Sequence, residues 1–201
     1  MTRQLTVGEA DFTIVLPGTW VSVPLEGDDR AKAEIASFVK RQVGMNDRLA
    51  RLRRDAREQL LGMAASARAA GAFRVGLSLE ILPGIPFPAA LVMHFQPWPA
   101  GGGAAAGPER LRTAFPDAEP LDLDCGPTVR RSSVGRLQIG AASTQEVRLD
   151  YWMPVPSGDR LLHLSVDVPS PGDPALYTEL FDAIVDSVRW AARPAPAEAA
   201  R

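Results

Sequence analysis

The stretch from Arg160 to Trp190 constrains the fold more than any other part of this chain. Arg160-Leu-Leu-His-Leu-Ser-Val-Asp-Val168 alternates with period two, which places Leu162, Leu164, Val166 and Val168 on one side of a half-buried strand. A Pro-Ser-Pro-Gly-Asp turn follows, and Pro174 behind Asp173 opens a helix. That helix carries Leu176, Tyr177, Leu180, Phe181, Ile184, Val185 and Val188 at spacings of three and four, a broad apolar stripe. A strand that feeds such a helix predicts a sheet with a covering helix.

The rest of the chain adds strands and a helical pair. Phe12 to Val15 reads as a strand ended by the turn Leu16-Pro-Gly-Thr19, with Trp20 to Pro24 as its partner or continuation. Asp29 to Val43 reads as a helix with Ala31, Ile35, Phe38, Val39 and Val43 inward, stopped at Gly44. A second helix starts near Asn46 or Asp47 and runs to about Ala70, with Leu49, Leu52, Ala56, Leu60, Met63 and Ala67 on one stripe. Strands are predicted at Phe73 to Leu82 and Ala90 to Gln96, joined through PGIPFP, and a short helix at Glu109 to Phe115. Four more strands follow, at Leu121 to Cys125, Val129 to Gln138, Thr144 to Met153 and Leu161 to Val168. Short connections suit an antiparallel sheet with helices on its faces, an α+β architecture. The domain is expected to span 1–190, with a flexible Gly/Ala-rich loop at 99–108 and a disordered tail at 191–201.

Composition narrows the function. A net charge of -2 supplies no basic field for nucleic acid or an anionic membrane. The single cysteine, Cys125, allows neither an internal disulfide nor a multi-cysteine metal site. The N-terminus lacks the apolar core of a signal peptide, and no window approaches the length of a membrane span. A cytoplasmic protein is the expectation, with no cofactor and no metal.

Candidate chemistry is sparse. His94 and His163 both fall mid-strand, His94 opposite Leu91 and Met93 and alongside Val92 and Gln96, His163 on a face with Leu161 and Ser165, and neither lies in a ligand-spaced motif, which favours a structural or solvent-facing role. Whether they share a face of neighbouring strands is not readable from sequence. Cys125 lies beside Asp122 and Asp124, which disfavour a thiolate, and the two aspartates read as a solvated strand face. Gly101-Gly-Gly103 lacks the Lys-Ser/Thr of a phosphate loop, and no GxSxG elbow is present. The second helix carries Arg48, Arg51, Arg53, Arg54 and Arg57 among Asp47, Asp55 and Glu58, and it is the one basic patch worth testing. Trp20 and Trp190 are placed to seal a core edge. Trp98 and Trp152 are the expected exposed pair, and exposed aromatics mark binding surfaces.

Two pieces together resemble the PsbP-like superfamily. They are Phe12-Thr-Ile-Val-Leu-Pro-Gly-Thr-Trp20, and Leu161-Leu-His-Leu-Ser-Val followed by a Pro/Gly/Asp turn and Tyr177 to Trp190. The resemblance covers about a quarter of the chain. It implies an α/β/α sandwich around a central antiparallel sheet, and activity through binding proteins rather than catalysis, so it transfers no active-site residue.

The resulting expectation is a non-enzymatic protein-binding module, an adaptor or chaperone of a bacterial secretion or injection system. Its binding residues are Trp98, Trp152, Arg48, Arg51 and Arg54, and a chaperone would leave an apolar sheet face uncovered. The alternative is a small-molecule or phosphate-ligand binder, or a weak hydrolase, built on the arginine-rich helix. Self-association through strand edges is a third possibility.

Overall fold

The computed structural model describes residues 3–7, 12–82, 84–99, 107–139, 142–169 and 172–191. The predicted loop at 99–108 and tail at 191–201 lie almost wholly outside them. Three strands, β1 (Arg3–Val7), β2 (Phe12–Leu16) and β11 (Arg189–Trp190), form a small sheet in the order β1-β2-β11. The main sheet runs β3 (Thr19–Pro24), β4 (Ala72–Leu82), β6 (Ala90–Pro97), β10 (Arg160–Pro169), β9 (Ala142–Pro154), β8 (Gly126–Ile139), β7 (Glu119–Leu123), with the short β5 (Ile85–Pro86) paired to β4. Every pairing is antiparallel. The described residues also form four helices: α1 (Asp28–Val43), α2 (Ala50–Ala69, entered through a 3-10 turn at Asp47–Leu49), α3 (Gly107–Ala114) and α4 (Pro174–Asp186). The fold is therefore α+β around a mostly antiparallel sheet. Among the described residues no helix is long and apolar enough to cross a membrane.

β2 and β3 are neither partners nor one strand, because the Pro17-Gly18 corner passes the chain from the small sheet to the edge of the main one. Gly18 is required there: its φ is 81°, and a Cβ would stand 2.1 Å from the Glu80 carbonyl oxygen. Trp20 locks the corner by donating its Nε1–H to the Pro17 carbonyl at 2.8 Å.

Alternation divides the main sheet into two faces. One carries Leu91 and Met93 (β6), Leu162, Leu164, Val166 and Val168 (β10), and Val147, Leu149, Tyr151 and Met153 (β9), covered by Phe181, Ile184 and Val185 of α4 and by Phe12, Ile14 and Leu16 of the small sheet. Asp173 caps α4 by accepting from Ala175 N at 3.0 Å, with Pro174 inside the first turn, as the sequence predicts. Among the described residues the opposite face is covered at its two ends. Ala31, Ile35 and Val39 of α1 with Ala64 of α2 pack on Val21, Val23, Val75 and Leu77. At the far end Leu111 and Phe115 pack on Val129, Trp152 and Leu161. The strip between is polar, and it holds the site described next.

The predicted stripe of α2 holds for part of its length. Ala56, Leu60, Met63 and Ala67 pack against the α1 cluster, whereas Leu49 and Leu52 are exposed. A 20-residue helix is about 30 Å long, and only its C-terminal part runs over the sheet.

Candidate functional site

Three adjacent strands bring Asp150, His163 and His94 into a line across the polar strip. Antiparallel register sets His163 directly opposite His94 on β6 and opposite Trp152 on β9, with Asp150 two residues along β9 from Trp152. The His94 Nε2 and His163 Nδ1 atoms are hydrogen-bonded partners, and His163 Nε2 meets Asp150 Oδ1 at 2.8 Å. At the outer end the Ala70 carbonyl, just past α2, stands near the His94 ring and favours its protonated form. Trp152 stacks on His163 at 4.7 Å between ring centres, and Phe115 stacks on Trp152 at 4.5 Å, which walls one side of the line.

The electrostatics follow from this packing. Burial and the neighbouring His163 hold His94 below the ordinary histidine value. Burial pushes the Asp150 carboxyl up, but the hydrogen bond from His163, the adjacent Ser165 hydroxyl and Arg148 outweigh it, and the net shift is downward. Burial raises Asp167 and Glu146 on the same face. A carboxylate–imidazole–imidazole line resembles the base half of a nucleophilic triad, yet among the described residues no hydroxyl or thiol is hydrogen-bonded to His94, whose ring partner is His163. Cys125 lies elsewhere, half-buried, its thiol pushed up by burial. Among the described residues no cluster of three or more His, Cys, Asp or Glu side chains is arranged to hold a metal ion.

The residues singled out by sequence fall in two separate places. Trp152 is buried and not exposed, since alternation turns it into the α3 cluster between Phe115 and His163. Trp98 is half-buried at the rim of that cluster; its Nε1–H donates to the Gly158 carbonyl at 3.0 Å, and the Arg110 guanidinium lies 4.0 Å over its ring. The arginines stand on α2 and its leading turn. Arg48 and Arg54 are exposed, and Arg51 makes only a loose, fully solvated pair with Asp55 at 3.9 Å.

Those arginines border a second candidate. Ala36, Val39 and Lys40 of α1, Met45 of the connection, and Ala50, Arg53, Arg54 and Arg57 of α2 line a groove of about 340 Å³ between the two helices. Arg53 is committed to structure, its Nη1 donating to the Gly44 and Asn46 carbonyls at 3.0 and 2.7 Å. Asn46 caps the 3-10 turn through Oδ1, which accepts from Arg48 N. Lys40, Arg54 and Arg57 thus converge on an apolar floor, and none of the lining residues is acidic.

No protein-family model, curated protein or solved structure matches this chain.

The two candidates differ in kind. The histidine line is turned inward and ends on the Asp150 carboxylate. The groove is open and cationic, and Met45 in its lining is 65% exposed. Sequence reasoning identified the arginines but missed Lys40 and Met45, which reach the groove from α1 and the turn. It weighed both histidines but could not bring them together, because their contact depends on strand order and register.

Proposed function

We propose that this chain is a protein-binding module, not an enzyme, and that it takes an acidic, amphipathic segment of a partner protein in the groove between α1 and α2. One observation carries the reading: Lys40, Arg54 and Arg57 surround an apolar floor of Ala36, Val39, Met45 and Ala50 with no carboxylate among the lining residues. Charge there recruits an acidic ligand, while burial of Met45 and its neighbours supplies affinity.

Kinship with the PsbP-like superfamily belongs to the same reading. The two segments that resemble it pack on each other: Trp20 meets Phe181 at 6.5 Å, and Phe12 meets Trp190 at 5.6 Å between ring centres. An adaptor or chaperone of a secretion or injection apparatus is the sharpest form of the proposal. The strip of the main sheet left uncovered among the described residues is polar, with His94, His163, Asp150 and Arg148, and is not the apolar face expected of a chaperone, so the proposed partner sits on the helical groove and not on the sheet.

The test is selection from a displayed peptide library on the full-length protein. Enriched peptides should pair Asp or Glu with Leu, Ile or Phe, and the double variant R54E/R57E should weaken them about tenfold or more. No enrichment, or binding indifferent to R54E/R57E, would overturn the proposal. A second reading, a phosphate-bearing small ligand, is favoured by the same convergence of cations. It predicts displacement of the peptides by millimolar inorganic phosphate at constant ionic strength.

A further inference from the structure

β8 runs past its neighbours. β7 pairs with it only from Gly126 to Arg130, so from Arg131 to Ile139 its outer edge meets no strand among the described residues. On the inner side β10 ends opposite Glu146 of β9, which leaves the β8–β9 arm two-stranded from Arg136 and Gln145 outward. A two-stranded ribbon is marginal in water by itself, and a third strand completes it. Every side chain from Arg131 to Arg136 is exposed.

The phase of the ladder says which backbone groups this edge offers. Val155 donates to the Arg160 carbonyl at 3.1 Å, so odd-numbered residues of β9 bond to β10 and even-numbered ones to β8. In register with these, Arg131, Ser133 and Gly135 bond to β9, while Ser132, Val134 and Arg136 aim N–H and C=O outward. β7 offers no comparable edge. Its outward positions are Pro120 and Asp122, and Pro120 has no N–H, a common guard on an edge strand.

We propose that the β8 edge from Arg131 to Arg136 receives an extended, acidic segment of a partner protein as an added antiparallel strand. The edge segment carries two arginines and no acid. On β9, Asp150 stands opposite Arg131 but is bound to His163, and Gln145 stands opposite Arg136. Asp or Glu across from Arg131 and Arg136 on the incoming strand pairs both, one on each face of the sheet. A second copy of the chain fits worse. Antiparallel self-pairing in phase about Ser132 or Val134 runs the copy's strand into β7, where Glu119 already holds the place beside Arg130. About Arg136 the two copies' Arg136 side chains face each other directly, and about Gln138 only Leu137 to Ile139 remain in register. The edge is separate from the α1–α2 groove, and the proposal does not rest on it.

The test selects a displayed peptide library on full-length R54E/R57E, whose groove is disabled. Enriched peptides are then titrated against the same chain carrying Val134→Pro, which removes an outward N–H and leaves the bonds of Ser133 and Gly135 to β9 in place. They should carry β-branched residues and two acids five positions apart, the spacing of Arg131 and Arg136. Their Kd should rise about tenfold or more with Val134→Pro and with R131E/R136E. In residue-resolved amide exchange, Ser132, Val134 and Arg136 should exchange fast in the wild type alone and slow about tenfold or more under saturating peptide, with Ser133 and Gly135 slow throughout. No peptide sensitive to Val134→Pro, or bound peptides that leave those three amides fast, would overturn the proposal. Three amides already slow in the protein alone, in step with its concentration, would assign the edge to a second copy and overturn it equally. If Val134→Pro does not fold, R131E/R136E and the exchange pattern decide.

Discussion

The hydroxyl of Tyr151, in the middle of β9, donates to Oδ1 of Asp182 on α4 at 2.8 Å. The second oxygen of Asp182 pairs with the Arg130 guanidinium, which also binds Glu119 on β7. One carboxylate thereby ties the helix to two strands. The Arg130 side chain is only 11% exposed, and burial acts against its charge, but Asp182 and Glu119 more than offset this and raise its pKa. Burial likewise raises the Tyr151 phenol, and Asp182 adds to the shift.

Asp182→Ala removes the partner of a nearly buried cation and of a buried hydroxyl at once. The expected cost is about 3 kcal/mol, read from urea unfolding. Glu119→Ala should cost less than about 1 kcal/mol, because its carboxylate is largely solvated. Equal costs for the two would contradict this account of α4 docking.

Gly18→Ala puts a methyl where the Glu80 carbonyl stands, in a backbone region that L-residues rarely adopt. It should cost about 2 to 3 kcal/mol in stability. Gly62→Ala, at an open helical position of α2, should be neutral or stabilising by up to about 1 kcal/mol. A neutral Gly18→Ala would mean that the corner between the two sheets is not built as described.

Stability should fall as pH is lowered below the ordinary histidine range, for two reasons of the same sign. His94 is depressed, so the folded state prefers it neutral; its contribution is present above the unfolded value of about 6.5 and is lost as pH falls through the folded value. Asp150 is also depressed, so its contribution is present above about 3.9 and disappears as pH falls further. Asp167 and Glu146 are raised and act oppositely, their protonation favouring the fold in acid. Urea midpoints between pH 7 and 4 should therefore decline in the wild type and flatten between about pH 6.5 and 5 in His94→Gln. An unchanged profile in His94→Gln would refute this assignment.

Much of the fold was legible because each element carried its own punctuation. Gly44 and Gly71 closed α1 and α2, Asp173-Pro174 opened α4, and Leu162 to Val168 displayed the buried face of β10. The contact between His94 and His163 was not legible, because it depends on which strands neighbour each other and in what register. No local pattern encodes that β6 and β10 pair across 69 residues of chain. Trp152 misled for a similar reason. It was expected to be exposed with Trp98, but α3 packs over that face and Phe115 covers the ring. Leu49 and Leu52 continued the apolar stripe past the edge of the sheet, and a helical period alone cannot tell where its partner surface stops.

The most direct test of the binding reading is comparative capture from native lysate on four full-length baits: wild type, Met45→Asp, R54E/R57E and Trp98→Ala. Met45, Arg54 and Arg57 lie on the solvent side of the groove, so the variants should fold as the wild type does. One partner should be enriched by wild type and by Trp98→Ala, and lost from both groove variants. Its bound segment, mapped by cross-linking, should be acidic and amphipathic. The same proteins retained on all four baits, or a partner lost only from Trp98→Ala, would contradict binding at the α1–α2 groove.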